Sequence, residues 1–293
     1  MKKLLLIIIL IGIASLIYSR LEKNKFSIIV LPDTQIYSKL YPQIFCKQTD
    51  WILQNKEKLN IVFVSHMGDI VDDGGSDLKQ WENAKTCMDK LNGKIPYGII
   101  PGNHDSDIAH KKESGFKTFR KYFPAYEENN FQNINVYGKK ILLLNLSIEA
   151  NDKELEWAQN IINQDKDKYI ILTTHKYLHD YDDKLSQGHE YSKNGNSGQQ
   201  IWDKLIYKNC NIKMVWSGHY HGKDGENKII TKNICNQEVP QIVQDYQSRE
   251  NGGNGLLRIY TFSKDKISVK TYSPLINTYE TDEDSKFYLD FNY

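Results

Sequence analysis

The sequence predicts an α/β protein, a four-layer α/β/β/α sandwich in which two mixed β-sheets pack together and helices flank them. In the first half, continuous apolar strands alternate with helical periodicity, a pattern typical of parallel strands buried on both faces. The second half is richer in strands, and no linker-like change in composition divides the 293 residues. We therefore expect one domain, residues 20–293, after a separate N-terminal segment.

The first residues of the chain form that separate segment. Lys2 and Lys3 precede an apolar run, Leu4–Tyr18. This arrangement is typical of a secretory signal, with cleavage after Ala14 or Ser19. The alternative is an uncleaved anchor over residues 4–18, although a spanning helix needs about 20 apolar residues. We predict a signal peptide over residues 1–19 and a secreted or extracytoplasmic protein, membrane-anchored only if the segment is retained.

Strands and helices alternate in the first half of the domain. Continuous apolar runs predict the strands, and helical spacing of apolar residues predicts the helices. The strand–helix–strand order indicates parallel crossover connections. The predicted strands are Phe26–Leu31, Ile61–Ser65 and Tyr97–Ile100, and the predicted helices are Pro42–Lys58 and Leu78–Leu91.

The second half predicts further strands around one helix and one long loop. A hairpin is expected around the turn at Gly138, and a helix over Asn151–Gln164. The polar stretch Lys176–Ser197 reads as a long loop, and long loops in compact domains are often functional. The remaining predicted strands are Tyr169–Thr174, Lys213–Ser217, segments near Ile229 and Ile242, Leu256–Phe262 and Ile267–Tyr272.

Charge and cysteine content limit the classes of function. The formal net charge is +1, so there is no basic excess of the kind that nucleic-acid binders carry. In an exported protein the four cysteines would form one or two disulfides, and buried free thiols are the alternative. Four cysteines allow three pairings, and the sequence does not choose among them. They are Cys46, Cys87, Cys210 and Cys235.

Five predicted strands end in a turn that carries a metal-binding residue type. Ligands of open α/β sheets bind beyond the carboxyl ends of the strands, so we expect the five turns to converge. A set of carboxylate, amide and imidazole ligands suits borderline divalent cations such as Zn²⁺, Mn²⁺ or Fe²⁺. The five turns contain Asp33 and Gln35, Asp69, Asn103 to Asp105, His175, and His219 and His221.

These turns differ in how specific a signal each gives. Asp33 to Gln35 and Gly68-Asp69 are common turn sequences when taken alone. Gly102 to Asp105 is stronger, because Asn and His there have no simple core explanation. Gly218 to His221 is stronger again, since two histidines with one spacer can face two metal ions. In combination, in this order, the five turns predict a two-metal site.

The five motifs resemble those of the calcineurin-like metallophosphoesterase superfamily, in the superfamily's order, from Ile28 to His221. The tail from Asp245 to Gly253 is similar to that of an exported subgroup whose first motif is Asp-Thr-Gln. The resemblance implies two divalent metal ions and attack of a metal-bridging hydroxide on phosphorus. The implied ligands are Asp69 for both ions, Asp33, Gln35 and His221 for the first, and Asn103, His175 and His219 for the second.

The resemblance also implies roles for residues that contact the substrate. His104 would hydrogen-bond the phosphoryl oxygen, beside Asn103, or protonate the leaving group. Asp72 would orient His104. Asp105 is a further candidate for the site, and the alternative is that it caps the next helix. Arg249 is a candidate phosphate contact, and its alternative is a surface arginine. Outside the motifs, His66 is interpreted as strand or turn filler, and His110, His179 and His189 are interpreted as solvated. The alternative for His179 and His189 is that they reach the pocket.

Gln35 departs from the superfamily pattern, which commonly has histidine there. An amide oxygen is a neutral, harder and weaker ligand than imidazole. We therefore expect a weaker first metal site with a preference shifted toward Mn²⁺, Fe²⁺ or Mg²⁺.

The sequence thus predicts an exported metal-dependent phosphoesterase that acts on a small phosphorylated substrate. The motifs do not separate monoesterase from diesterase, and a nuclease lacks the expected basic stripe. The alternative is a non-catalytic, metal-stabilised extracellular binding module, in which His104 or Asp72 would be lost although both are present. A purely structural, disulfide-held domain leaves the five motifs unexplained.

Overall fold

The computed structural model describes residues 24–164, 166–291 and 293. The predicted signal peptide, residues 1–19, lies outside the described residues. Within the described ranges, no helix is long and apolar enough to cross a membrane.

Thirteen strands and several helices make up the described chain. The strands are β1 (Phe26–Leu31), β2 (Ile61–His66), β3 (Tyr97–Ile99), β4 (Asn130–Val136), β5 (Lys139–Leu146), β6 (Tyr169–Lys176), β7 (Ile212–Gly218), β8 (Glu226–Lys232), β9 (Glu238–Gln244), β10 (Leu257–Phe262), β11 (Lys266–Ser273), β12 (Thr278–Tyr279) and β13 (Lys286–Asp290). The α-helices are α1 (Gln35–Leu40), α2 (Pro42–Asn55), α3 (Leu78–Met88), α4 (Lys117–Tyr122), α5 (Asp152–Gln164) and α6 (Gly198–Ile201), and a π-helical segment, Trp202–Ile206, continues α6.

The strands form two mixed sheets, as predicted. The first has the order β12-β11-β10-β1-β2-β3, with β13 also paired to β11. In it, β1, β2 and β3 are parallel and β10 is antiparallel to β1. The second has the order β4-β5-β6-β7-β9-β8, in which β5, β6, β7 and β9 are parallel and the edge strands are antiparallel. The parallel strands therefore direct their carboxyl ends to one edge of each sheet.

Alternate side chains of each buried strand pack into two different hydrophobic cores, one on each face of the sheet. On β1, Ile28 and Val30 pack between the two sheets, and Ile29 and Leu31 pack under the helices. The inter-sheet layer includes Trp216, whose ring centroid lies 4.6 Å from that of Tyr260. Helices α2, α3 and α4 cover the first sheet, and α5 and α6 cover the second. The four-layer sandwich predicted from the sequence is therefore confirmed.

Several short elements were not predicted. Helices α1 and α4 have six residues each, too few for apolar residues to show a helical period. Strands β12 and β13 are short edge strands of the C-terminal hairpins. The helix predicted to reach Lys58 ends at Asn55, because the chain turns there toward β2 through Asn60, which has a positive φ of 46°.

The four cysteines form two disulfides, Cys46–Cys87 and Cys210–Cys235. The first joins α2 to α3. The second joins the turn before β7 to the turn between β8 and β9. The structure thus selects one of the three pairings that the sequence left open, and the buried-thiol alternative was wrong.

Candidate metal centre

The five turns do converge, at the carboxyl ends of the parallel strands. Asp33 follows β1, Asp69 follows β2, His175 lies near the end of β6 and His219 follows β7. The ligand atoms of Asp69, His175 and His219 all lie within 4.8 Å of one another. Asn103, which follows β3, joins them through its Oδ1, 3.0 Å from His175 Nε2. This part of the predicted site is therefore assembled in the structure.

His175 is held in a tautomer that suits metal binding. It is fully buried, and its Nδ1 lies 2.9 Å from the carbonyl oxygen of Met67, which can only accept a hydrogen bond. Nδ1 therefore carries the proton and Nε2 offers a lone pair. Nε2 faces Asp69 Oδ2 at 3.3 Å and Asp33 Oδ2 at 4.0 Å. A lone pair surrounded by oxygens needs a cation or a proton among them.

Two glycines let the carboxylates approach the backbone. A Cβ at Gly102 would lie 2.2 Å from Asp69 Oδ1, and a Cβ at Gly218 would lie 2.1 Å from Asp33 Oδ1. In this space, the backbone amide of His104 donates to Asp69 at 3.0 Å, and that of His219 donates to Asp33 at 3.1 Å. The glycines before Asn103 and His219 thus make room for carboxylates from other strands.

Two buried oxygens at the site have no hydrogen-bond partner among the described residues: Asp33 Oδ1 and Gln35 Oε1. Buried polar atoms are almost always paired, because an unpaired one loses its hydration without compensation. Burial raises the pKa of Asp33, and the neighbouring Asp245 and Asp69 carboxylates raise it further. A divalent cation would relieve both effects, so the residues present fit the metal ions that the sequence predicts.

Sequence reasoning missed two residues beside Gln35. Asp245 follows β9, is fully buried, and lies with Gln247 in the turn after that strand. Gln247 Nε2 lies 2.7 Å from Asp245 Oδ2 and 3.4 Å from Asp33 Oδ2, and Gln35 Nε2 donates to Gln247 Oε1. The sequence signal for this pair is Asp245, another aspartate at the end of a predicted strand.

His104 lies at the rim of the site, with 20 % of its side chain exposed. Its Nδ1 donates to the backbone carbonyl of Asp72 at 2.8 Å, and the Asp72 carboxylate is farther away at 3.6 Å. That carboxylate forms an ion pair with Lys39 at 2.5 Å. Asp72 therefore contacts His104 mainly through its main chain. His110, interpreted from sequence as solvated, also lies here, with its ring centroid 4.2 Å from that of His104.

Aromatic side chains line the other side of the site. The ring centroid of His219 lies 5.4 Å from that of Tyr191 and 4.8 Å from that of Tyr220. Tyr191 belongs to the long loop after β6, so this loop does approach the site. His179, from the same loop, pairs with Asp182 at 2.8 Å and contacts Tyr220. His189 is exposed.

Arg249 lies in an ion-pair group away from the metal-binding side chains. Its guanidinium contacts Glu280 at 2.7 and 2.8 Å and Glu226 at 3.2 Å, and its Nε donates to the carbonyl of Asp224. These contacts occupy the guanidinium nitrogens that a phosphate group would need, so the structure does not place Arg249 in the site. Glu226, Glu280 and Asp282 are another acidic group, but Arg249 pairs with Glu226 and Glu280, and Arg258 also pairs with Glu226.

Asp105 and His66 support the site from behind. Asp105 does not cap a helix; its carboxylate accepts the backbone amides of Ile70 and Gly102 at 2.9 and 2.8 Å, and also that of Val71. It thereby ties the turn that carries Asp69 to the turn that carries Asn103. The buried ring of His66 lies 2.9 Å from Thr34 Oγ1, and burial beside His175 lowers its pKa to about 3. His66 is therefore neutral.

Residues 26–223 match the Calcineurin-like phosphoesterase family. The chain belongs to this family. Its members are metal-dependent phosphoesterases that use a dinuclear divalent metal centre.

Similar proteins extend the match. The uncharacterized protein YvnB of Bacillus subtilis is 34 % identical over 289 residues, which cover 89 % of this chain and 21 % of YvnB. A probable glycerophosphodiester phosphodiesterase GpdQ of Arcobacter nitrofigilis is 26 % identical, with 53 % of this chain and 54 % of that protein covered. The chain thus spans about a fifth and about half of these relatives. A dimetal phosphatase from Danio rerio has the same fold, with a TM-score of 0.60 at 10 % identity and coverage of 91 % and 99 %.

Proposed function

We propose that this protein hydrolyses a small phosphodiester at a two-metal centre, with His104 as its catalytic side chain. The observation that carries the proposal is the convergence of ligand atoms at the ends of five strands. Two of these atoms, Asp33 Oδ1 and Gln35 Oε1, are buried and have no hydrogen-bond partner within the described part of the chain. Likeness to a probable phosphodiesterase favours a diester over a monoester. The formal net charge is only +1, so the composition gives no support for a nucleic-acid substrate.

The ligand set that we propose is the one that the resemblance to the calcineurin-like family implies. Asp33, Gln35 and His221 would hold the first ion, and Asn103, His175 and His219 the second, with Asp69 shared between them. When bound, two such cations acidify water and neutralise the charge on phosphoryl oxygens.

The side chains near the metal-binding residues would position the substrate and move a proton. His104 Nδ1 donates to the Asp72 carbonyl, so Nε2 is the atom that faces the substrate. In the imidazolium form, Nε2–H would donate to a phosphoryl oxygen or give its proton to the departing alkoxide, leaving neutral imidazole. Asn103 Nδ2 lies 3.0 Å from His110 Nδ1, and this contact keeps the Asn103 oxygen directed at His175. The rings of Tyr191 and Tyr220 would contact the organic part of the substrate.

A hydrolysis assay tests the proposal. The wild type, the His104→Ala variant and the matched control His189→Ala, an exposed histidine, would be compared on bis-p-nitrophenyl phosphate and p-nitrophenyl phosphate. Each would be assayed with Mn²⁺, Zn²⁺, Fe²⁺ or no metal. We expect metal-dependent turnover with a higher kcat/KM for the diester, reduced about 100-fold or more by His104→Ala only. Folded, metal-loaded protein without turnover of either ester would instead support the binding-module alternative.

We further propose that the protein is exported. Two disulfides in a chain of this size support an oxidising compartment. Expression in a secreting host, followed by N-terminal sequencing of the product, tests this. A mature N-terminus near residue 15 or 20 in the extracellular fraction is expected. Full-length protein retained in the membrane fraction would favour the anchor.

A further inference from the structure

Gln35 poses a problem that a histidine ligand would not. A glutamine amide has an oxygen that binds cations and a nitrogen whose two hydrogens repel them. The two ends have nearly the same shape, so the amide orientation depends on its hydrogen-bond partners. A metal site that uses Gln35 therefore needs a group that fixes its oxygen toward the ion.

The tail after β9 supplies such a group. Asp245 is buried and, when ionised, only accepts hydrogen bonds. It accepts the Gln247 backbone amide at Oδ1, at 3.0 Å, and the Gln247 side-chain nitrogen Nε2 at Oδ2, at 2.7 Å. Since Nε2 faces a carboxylate, the other end of the Gln247 amide, Oε1, must face away from Asp245.

Gln247 passes this orientation to Gln35. The outward oxygen of Gln247 accepts a hydrogen bond from Gln35 Nε2. The remaining atom of the Gln35 amide, Oε1, is buried and has no partner among the described residues. If both amides were reversed, Gln247 Oε1 would face Asp245 and lie near the Asp33 carboxylate, with oxygen against oxygen in a buried site.

We propose that Asp245, acting through Gln247, orients the Gln35 amide so that its oxygen is available to the first metal ion. Asp245 and Gln247 are positioning residues, because both oxygens of Asp245 already accept hydrogen bonds from Gln247. This inference rests on the ligand set proposed above. It accounts for how this chain can use a glutamine at this position as a ligand of the first metal ion.

A double-mutant cycle tests the orientation. Asp245→Asn removes the charge that distinguishes the two ends of the Gln247 amide, whereas Gln35→His replaces the amide that needs orienting. For each single variant, the double variant and the wild type, Mn²⁺ affinity at each site would be measured by titration of the metal-free protein. Bound metal would be counted by mass spectrometry. We expect Asp245→Asn to weaken the first site about 10- to 100-fold in the Gln35 background. In the Gln35→His background, Asp245→Asn should weaken the Mn²⁺ affinity of the first site by less than about threefold.

Two further variants address folding and specificity. Gln247→Met breaks the relay at a half-buried position and should reproduce the loss of first-site affinity. Asp180→Asn is the matched control, because Asp180 is a buried carboxylate that accepts two backbone amides, those of Lys223 and Gly225 at 2.6 and 3.2 Å, in a different turn, the one between β7 and β8. It should leave both affinities unchanged. Thermal unfolding of each metal-free variant checks that it folds.

Equal losses from Asp245→Asn in both backgrounds would overturn the proposal, since the carboxylate would then act by its charge or as a direct ligand. An unchanged first site in Asp245→Asn or in Gln247→Met would overturn it too. Gln35→Ala separates this failure from that of the ligand set. If Gln35→Ala keeps two ions at native affinity, Gln35 is not a ligand and the assignment of the first site itself is wrong.

Discussion

At the scale of single residues, the metal centre depends on two glycines, whose lack of a side chain leaves room for its carboxylates. Gly218 and Gly102 each occupy a position where one more carbon atom would overlap a carboxylate oxygen of Asp33 or Asp69. Close packing leaves these carboxylates little room to move, because each is also held by a backbone amide. The geometry of the site is therefore sensitive to small substitutions beside it.

Gly218→Ala should displace Asp33, because the added Cβ would lie 2.1 Å from its Oδ1. A displacement of about 1 Å at a catalytic site costs on the order of 100-fold in rate, and we expect a loss of kcat/KM of this size together with a weaker first metal site. Steady-state kinetics and metal counting measure both. Gly188→Ala is the control, since a Cβ there meets nothing within 4 Å. Equal activity of the two variants would contradict the role of Gly218.

The sequence was most informative about residues whose type and position both carry a signal. Asn103 and His219 stand out because each follows a glycine at the end of a buried strand. Asp245 also follows a buried strand, but no glycine precedes it. The role of its partner Gln247 is visible only in the folded structure, where both residues lie beside Gln35. Arg249 was misleading because a sequence does not show that Glu280, 31 residues away, neutralises it.

At the scale of elements, a buried carboxylate, that of Glu149, helps to fix the loop after β6 to the domain. Glu149 accepts the backbone amides of Glu190, Tyr191 and Ser192 at 2.7 to 2.9 Å. Its carboxylate also pairs with Lys176 at 3.0 Å, and both side chains are 1 % exposed. Because the loop carries Tyr191 beside His219, the contacts of Glu149 help to position the Tyr191 ring at the site. The sequence predicted the loop but not its attachment.

Glu149→Gln should loosen the loop without changing the metal-binding residues. The substitution leaves Lys176 buried without its full counter-charge and removes an acceptor from the three amides. If the loop helps to bind substrate, KM should rise about tenfold or more while kcat changes less. Limited proteolysis would detect faster cleavage within residues 180–195. Glu156→Gln is the control, because its side chain is exposed on α5, outside the loop. A fall in kcat at constant KM would assign Glu149 to the metal centre instead.

At the scale of the whole molecule, one carboxylate joins the two sheets. Glu226 begins β8 of the second sheet, and its partners Arg258 and Thr271 lie on β10 and β11 of the first. It is 2 % exposed and also accepts hydrogen bonds from Tyr246 at 2.8 Å and Ser285 at 2.6 Å. The alternating apolar residues of the strands predicted a sandwich, but this polar contact between its layers joins residues 32 apart or more and has no local signature.

Glu226 should make the stability of the protein depend on acid pH. Burial alone raises the pKa of Glu226, but the charge of Arg258, the Ser285 hydrogen bond and Arg249 outweigh burial and lower the pKa to about 2. A group whose pKa is lower in the folded state than its ordinary 4.5 stabilises the fold fully above pH 4.5 and loses that contribution as the pH falls toward 2. The shift corresponds to a contribution on the order of 3 kcal/mol at neutral pH.

Glu226→Gln should therefore lower the free energy of unfolding at pH 7 by about 3 kcal/mol, because it leaves the buried guanidinium of Arg258 without its counter-charge. The difference from the wild type should shrink as the pH falls from 4.5 toward 2, since the wild-type carboxylate then loses its charge as well. Urea unfolding of the oxidised, metal-free protein at several pH values measures both effects. Glu82→Gln removes an exposed partner of Lys79 and should change stability by less than about 0.5 kcal/mol. A destabilisation by Glu226→Gln that stays constant down to pH 2 would mean that lost packing, and not the paired charge, holds the sheets together there.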